Sequence, residues 1–117
     1  MINVFQNTIM GNEIYYSEGA EDDLFDIYVY SVKVYSTERA ETTLKLIKQK
    51  VEKLKAFPEM GNYPPELERI CLYNFREIHS NPYRIVYEVM DNIIYIHCIL
   101  DGRRDIVTIL QERVIKR

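Results

Sequence analysis

The residues of this chain that are best suited to binding an anion are arginines, and they concentrate in its second half. Residues 1–68 carry 7 Lys and Arg against 12 Asp and Glu, whereas residues 69–117 carry 8 against 6, and nearly all of those eight are arginine. The planar guanidinium group matches phosphate and carboxylate groups with two parallel hydrogen bonds. We therefore expect an anionic ligand to meet the second half of the chain.

The two histidines are weak candidates for acid–base chemistry. His79 lies beside a turn signal, where a surface residue is expected, and His97 lies inside an apolar run, where a hydrogen-bonded core residue is expected. The sequence has no glycine-rich phosphate loop and no ligand spacing typical of a metal site, so we expect neither a cofactor nor a metal. The arginines can also pair with sheet carboxylates such as Glu77 and Glu88, although exposed pairs add only about 0–1 kcal/mol each.

Composition predicts a single domain that spans residues 1–117. The chain is 47% hydrophobic, which is ordinary for one domain with one core, and residues 1–9 resemble an N-terminal extension. It contains no apolar run long enough to span a membrane, and its start lacks the features of a signal peptide, so a cytoplasmic location is expected. Cys71 and Cys98 are far apart and are expected to stay reduced.

Apolar residues recur at helical spacing in two consecutive segments. Ser17 and the acidic residues after it predict the start of a helix that ends near Ser36. Ser36 and Thr37 predict a second start, followed by an apolar stripe that reaches Leu54 and by lysines on the opposite side. Because the link is so short, the two helices should form an antiparallel hairpin.

The apolar period changes to two residues after Phe75. Residues 75–79, 83–90 and 93–100 are predicted strands, and the short links between them require antiparallel neighbours. Both alternating sets of residues 93–100 are largely apolar, so this strand should be central, and residues 12–16 are a further strand-like run. The segment 103–114 is compatible with either a closing helix or an extended arm.

Four segments, in this order, carry a family resemblance: YSEGAEDDLFDIYVYS, KLKAFPEMGNYPPEL, FREIHSNPYRIVYEV and ILDGRRDI. From about Asn12 to Leu110 the chain resembles the RelE/ParE toxins of type II toxin–antitoxin systems, and among them the ParE-like plasmid-stabilisation type. The resemblance implies an α+β fold, in which an N-terminal antiparallel helical hairpin packs on a curved antiparallel β-sheet of about four strands. The periodicities alone predict the same architecture.

RelE-like members of this family cut messenger RNA in the ribosome. Such cleavage must deprotonate the ribose 2′-hydroxyl, stabilise the phosphate and protonate the leaving oxygen. The candidate catalytic residues are Arg76, Arg84 and Arg104, of which the last two match basic positions of the family. However, the strand-end position that is often histidine in related toxins is Asp101 here, and no His or Tyr follows Arg104. An enzymatic activity is therefore the less favoured hypothesis.

ParE-like members poison DNA gyrase by binding, without chemistry of their own. Our candidates for contact with a target or an antitoxin are Arg84, Arg103, Arg104, Ile109, Leu110 and Arg113. For the apolar members of this set, packing on the sheet is the structural alternative. Antitoxins of these pairs typically wrap the toxin with a segment that folds on binding and uses apolar anchors and acidic residues.

The favoured hypothesis is therefore a gyrase-binding toxin that a cognate antitoxin neutralises, with a ribosome-dependent endoribonuclease acting on mRNA as the alternative. A third hypothesis is a non-toxic orphan binding module, because a fold alone does not fix an activity. An adjacent small reading frame that encodes a DNA-binding antitoxin would favour the toxin hypotheses over the third.

Overall fold

The computed structural model describes residues 12–116, and the predicted extension at residues 1–9 lies outside the described residues. The elements follow in the order β1 (Glu13–Tyr16), α1 (Glu18–Val34), α2 (Thr37–Glu52), a 3₁₀ turn (Lys53–Lys55), α3 (Pro65–Glu68), β2 (Phe75–Ser80), β3 (Tyr83–Met90), β4 (Ile93–Asp101) and α4 (Ile106–Lys116). None of the helices between residues 12 and 116 has the length and apolar character needed to cross a membrane.

Serine caps begin both helices of the hairpin, as the sequence predicts. The Ser17 hydroxyl accepts a hydrogen bond from the Ala20 N–H at 3.0 Å, and the Ser36 hydroxyl accepts one from the Arg39 N–H at 3.0 Å. Each bond satisfies a backbone donor that a helix start leaves without an intrahelical partner. The Ser36 N–H also donates to the Ser31 carbonyl at the end of α1, so one residue closes one helix and opens the next.

The four strands form one sheet in the order β1-β4-β3-β2, with β4 in a central position as predicted. The pairs β2/β3 and β3/β4 are antiparallel, which confirms the expectation from the short links, but β1 pairs parallel with β4. The fully antiparallel sheet expected from the sequence was therefore wrong at this edge. β1 leads straight into α1, and the Ser17 N–H donates to the Ile96 carbonyl, so β1 runs alongside β4 towards the start of the helix.

Helices cover both faces of the sheet. The α1–α2 hairpin packs on one face over a core that includes Ile47, Ile85 and Ile96, and α4 packs on the other face over Val86 and Cys98. β4 is therefore buried on both sides, which explains why both of its alternating sets are apolar. The segment after residue 105, whose conformation the sequence left open, is a helix because its apolar stripe closes this second core.

Tyr87 holds the loop that leaves the hairpin. Its hydroxyl donates to the Pro58 carbonyl at 2.7 Å and accepts from the Gly61 N–H at 3.0 Å. A Cβ at Gly61 would lie 2.6 Å from the Glu77 carbonyl oxygen and 2.7 Å from the Tyr87 hydroxyl, so only glycine fits this close approach. The FP…G segment and the YRIVYEV strand therefore contact each other through Pro58, Gly61 and Tyr87.

Replacement of Tyr87 with phenylalanine should destabilise the fold by about 1–3 kcal/mol, because it leaves the buried Gly61 N–H without an acceptor. Urea unfolding followed by circular dichroism measures the change. Tyr73→Phe is the matched control, since Tyr73 is 52% exposed. Equal unfolding midpoints for Tyr87→Phe and the native chain would contradict this role of the hydroxyl.

Candidate functional site

Arg84, a predicted catalytic and contact residue, ties the short helix α3 to the sheet. Its guanidinium bonds both carboxylate oxygens of Glu66, at 2.6 and 2.8 Å, and one oxygen of Glu77 at 2.6 Å. The Arg84 side chain is only 12% exposed. Its hydrogen bonds hold the pKa of Glu66 at about 2, well below the ordinary value of 4.5. These contacts already use the anion-binding capacity of this arginine.

Arg113, predicted to contact a target or antitoxin, instead joins α4 to α1 and β4. Its guanidinium bonds both oxygens of Asp23 at 2.9 and 3.0 Å and the His97 carbonyl at 2.7 Å, and Asp23 also accepts from the Ile99 N–H. Bonding to Asp23 raises the pKa of Arg113. A Cβ at Gly19 would lie 2.5 Å from the Arg113 Cδ, so glycine leaves the space through which the arginine passes.

Arg76, the third predicted catalytic arginine, lies over the loop at the hairpin exit. It donates to the Gly61 carbonyl at 2.9 Å and to the Tyr63 hydroxyl at 3.1 Å, and its guanidinium carbon lies 4.5 Å from the centre of the Tyr63 ring. Arg76 is half-buried and is bound to the loop backbone and to the Tyr63 ring. It therefore stabilises the same loop that Tyr87 contacts.

The two predicted apolar contact residues of the final segment pack inward to different degrees. Leu110 is 3% exposed and belongs to the core beneath α4, and Ile109 packs against that core while partly exposed. The exposed apolar surface lies beside them, in a groove of about 460 Å³ between α4 and the loop after α3. We call this the α4 groove; its walls include Leu67, Ile70, Leu72, Phe75, Val114 and Ile115.

Arg103 and Arg104 are the predicted arginines that face solvent, in the turn after β4. Asp101 shapes this turn: its carbonyl accepts from the Arg104 N–H and its carboxylate from the Arg103 N–H. Asp105 then begins α4 by accepting from the N–H and hydroxyl of Thr108, which lowers its pKa. The GRRD segment therefore presents two arginines between two acidic residues that fix the backbone.

These two arginines border a cleft of about 620 Å³ between the tip of the hairpin and the end of β4. We call it the strand-end cleft; its lining includes Tyr30, Tyr35, Arg39, Tyr83, Arg103 and Arg104. Burial raises the pKa of Tyr83, with further contributions from Asp101, Tyr30 and Tyr35, so these groups lie close to one another. The Arg39 guanidinium stacks on the Tyr35 ring at 4.1 Å.

Sequence reasoning missed the hairpin side of this cleft. Arg39 belongs to the acidic half of the chain, Tyr30 lies on α1 and Tyr35 directly follows it, in a segment for which the sequence predicted only a helix. The only signal in the sequence was a pair of tyrosines five residues apart just before the Ser36 cap; the structure shows that they are 54–55% exposed. Only the fold brings them to the end of β4, because the tip of the hairpin reaches the turn after that strand.

Both histidines are in contact with carboxylates. His97 is 1% exposed and its Nε2 lies 2.9 Å from Glu88 Oε1, whereas the exposed His79 lies 3.6 Å from Glu77. Within the described residues no group of three His, Cys, Asp or Glu side chains is arranged to hold a metal ion.

Comparisons with known proteins agree with this architecture. The model of the family described as ParE toxin of type II toxin-antitoxin system, parDE, matches residues 14–106. The fold is similar to a solved structure titled "Chromosomal ParDE TA system from P. aeruginosa", with a TM-score of 0.67, 20% sequence identity, and coverage of 79% of this chain and 97% of that one. No curated protein sequence matches the chain.

Replacement of Arg113 with methionine should cost roughly 3 kcal/mol of stability, since Asp23 is 9% exposed and would lose its counter-charge. Adding Asp23→Asn should recover part of that loss by removing the buried charge. Arg103→Met is the control: its side chain is 96% exposed, and its unfolding free energy should change by less than about 0.5 kcal/mol. An Arg113→Met chain as stable as the control would disprove the structural role.

The Glu66–Arg84 pair should make stability depend on pH below 4.5. Because the pKa of Glu66 is depressed in the fold, its contribution is complete above 4.5 and is lost as the pH falls towards 2. Glu66→Gln should lower stability at pH 7 and flatten the decline between pH 4.5 and 2. The exposed Glu68 on the same helix provides the control Glu68→Gln, and urea unfolding at several pH values is the measurement. A decline that is equally steep in both variants would refute the assignment.

Proposed function

Since this chain belongs to the ParE toxin family of type II toxin–antitoxin systems, we propose that it inhibits growth by binding DNA gyrase and that a cognate antitoxin neutralises it. The proposed target places its site of action in the cytoplasm. The observation that carries the proposal is how the arginines are used: those bound internally hold the fold together, and those in the strand-end cleft remain at the surface.

The internal contacts argue against the ribonuclease alternative. Of the three candidate catalytic arginines, Arg84 is bound by two carboxylates and Arg76 by a loop, so Arg104 alone stays exposed. Phosphate bound at Arg84 would face the charges of Glu66 and Glu77, which would repel it. A mechanism of RNA cleavage would therefore have to break these contacts first.

The strand-end cleft fits a protein target better than a chemical step. Tyrosine and arginine dominate the binding energy of protein interfaces, because they supply large contact area together with hydrogen-bond donors. Here three tyrosines and three arginines share one cleft with Asp26 and Asp101. Such a mixture of charges suits a polar protein surface that itself carries both signs.

We assign the antitoxin to the α4 groove. Ile115 is 85% exposed and Ile70 55% exposed, so the groove presents apolar surface that a monomer in water would leave uncovered. An antitoxin segment that folds on binding would insert apolar side chains there, as in helix-in-groove recognition. In this proposal target and antitoxin use different surfaces, joined by the GRRD turn and α4.

The decisive experiment separates translation from DNA synthesis. After induction of the chain without its antitoxin, amino-acid and thymidine incorporation are followed over the first minutes. Failure of DNA synthesis while translation continues is the expected result. Prompt collapse of translation would contradict gyrase binding and support ribosome-dependent cleavage of mRNA. Unaffected growth would support the third hypothesis, a non-toxic binding module.

Substitution in the cleft should remove the activity without unfolding the chain. Arg103→Ala combined with Arg104→Ala should weaken inhibition of purified gyrase supercoiling at least tenfold, while the melting temperature stays unchanged because both residues are exposed. Lys45→Ala combined with Lys48→Ala, on the exposed side of α2, is the matched control. Full inhibition by the arginine variant would remove the cleft from the proposal. Arg84→Ala is unsuitable here, since it would leave Glu66 and Glu77 unpaired.

A further inference from the structure

Arg39 is the basic residue on the hairpin side of the strand-end cleft. It lies in the first turn of α2, is exposed, and forms no ion pair with another residue between 12 and 116. Its backbone N–H donates to the Ser36 hydroxyl, a capping contact that any residue except proline can make. The helix start therefore does not need the Arg39 side chain, whose charge is available to a partner.

Tyr35 orients this side chain. The Arg39 guanidinium carbon lies 4.1 Å from the centre of the exposed Tyr35 ring. The ring attracts the face of the guanidinium group, whereas the N–H donors lie in the plane of that group and stay free to form hydrogen bonds. Because stacking restricts the side chain before a partner arrives, less conformational entropy is lost on binding. Arg39 thus presents a pre-oriented set of donors to an anionic group.

Two carboxylates of the cleft already have partners. Asp23 is bound by both terminal nitrogens of Arg113. Asp101 accepts a hydrogen bond from the Arg103 N–H, and its carboxylate lies 3.9 Å from the Arg103 Nε. Each of these carboxylates is thus matched by an arginine of this chain, and the two pairs offer a partner little net charge.

The remaining charges of the cleft lie at separate places. Arg39, Arg104 and Asp26 line the cleft, and none of them forms an ion pair within the part of the chain that the structure describes. Asp26 lies about 12 Å along the helix axis before α1 ends at Val34, and Tyr35, on which Arg39 stacks, follows that end. Charges more than about 8 Å apart are largely screened from each other at physiological ionic strength. The tip of the hairpin is therefore the basic end of the cleft.

From this arrangement we infer that Arg39 is a specificity-determining residue of the cleft, and that it binds a carboxylate side chain of the target protein together with Arg104. Tyr35 is a positioning residue, because it acts through Arg39. The inference rests on the proposed function, since it takes gyrase as the target. It adds a second basic wall, from the hairpin, to the arginines of the GRRD turn.

DNA phosphates could offer the same chemistry, but the charges of the chain favour a protein carboxylate. A DNA duplex carries one negative charge for each ~1.7 Å of its axis, so a duplex along the cleft would bring phosphates against Asp26 as well as against Arg39. Residues 1–68, which supply the hairpin, contain 12 Asp and Glu against 7 Lys and Arg, so they repel a polyanion. A single carboxylate side chain reaches the basic end without meeting Asp26.

Binding of the purified full chain to purified gyrase in the absence of DNA tests the inference. Fluorescence anisotropy of the labelled chain gives the dissociation constant of each variant. Arg39→Ala should raise this constant roughly tenfold or more, because it removes the charge and its donors. Tyr35→Leu should raise it roughly threefold or more, since Arg39 loses the ring that orients it. Tyr35→Phe keeps the ring and should bind as tightly as the native chain.

Lys45→Ala is the matched control, because it removes an exposed positive charge from the same helix outside the cleft. It should leave the dissociation constant unchanged. Circular dichroism should give the native melting temperature for all four variants, since each replaced side chain is exposed.

Three results would overturn the inference while the proposed function stands. One is native-strength binding by Arg39→Ala. Another is equal weakening by Tyr35→Phe and Tyr35→Leu, because the hydroxyl rather than the ring would then matter. The third is binding to gyrase only after DNA is added, or binding of the native chain to a duplex oligonucleotide alone, because phosphates would then be the ligand. A native chain that does not bind gyrase with or without DNA contradicts the proposed function itself, and the inference with it.

Discussion

The ion pair between Asp23 and Arg113 is the contact on which both layers of the fold depend. It joins residues 90 positions apart and binds the sheet between them, through the Ile99 N–H and the His97 carbonyl. A buried charge without a partner is strongly unfavourable, so Asp23 is tolerated near the core because Arg113 of α4 pairs with it. Gly19 belongs to the same arrangement, because a side chain there would occupy the path of the arginine.

Burial and carboxylate partners divide the arginines of this chain into two groups. Arg84 and Arg113 are chemically identical to Arg103 and Arg104, yet each of the first two meets a carboxylate with two parallel hydrogen bonds inside the fold. Such bidentate pairs are strong and fix geometry as well as charge. The guanidinium group therefore occurs in two settings, bound between elements inside the fold and exposed at the surface.

Features that depend on neighbouring residues were predictable from the sequence, and features that depend on distant partners were not. The caps at Ser17 and Ser36, the helical stripes and the antiparallel links are local, and the structure confirms them. The parallel pairing of β1 was missed because no short link constrains its direction. The partners of Arg84 and Arg113 lie 7 to 90 residues away along the chain. The sequence alone therefore did not distinguish these two arginines from the exposed Arg103 and Arg104. The strand-end cleft escaped notice for the same reason.

The separation between Asp23 and Arg113 also has a consequence for synthesis. At roughly 5–20 residues per second, the ribosome adds Arg113 about 5–18 s after Asp23. During that interval the nascent chain can form the hairpin, whose contacts are local, but Asp23 still lacks its cation and the second core lacks its covering helix. The final fold is therefore reached only after α4 has been synthesised, and until then a hydrophobic face of the sheet is open to any chaperone or partner that binds growing chains.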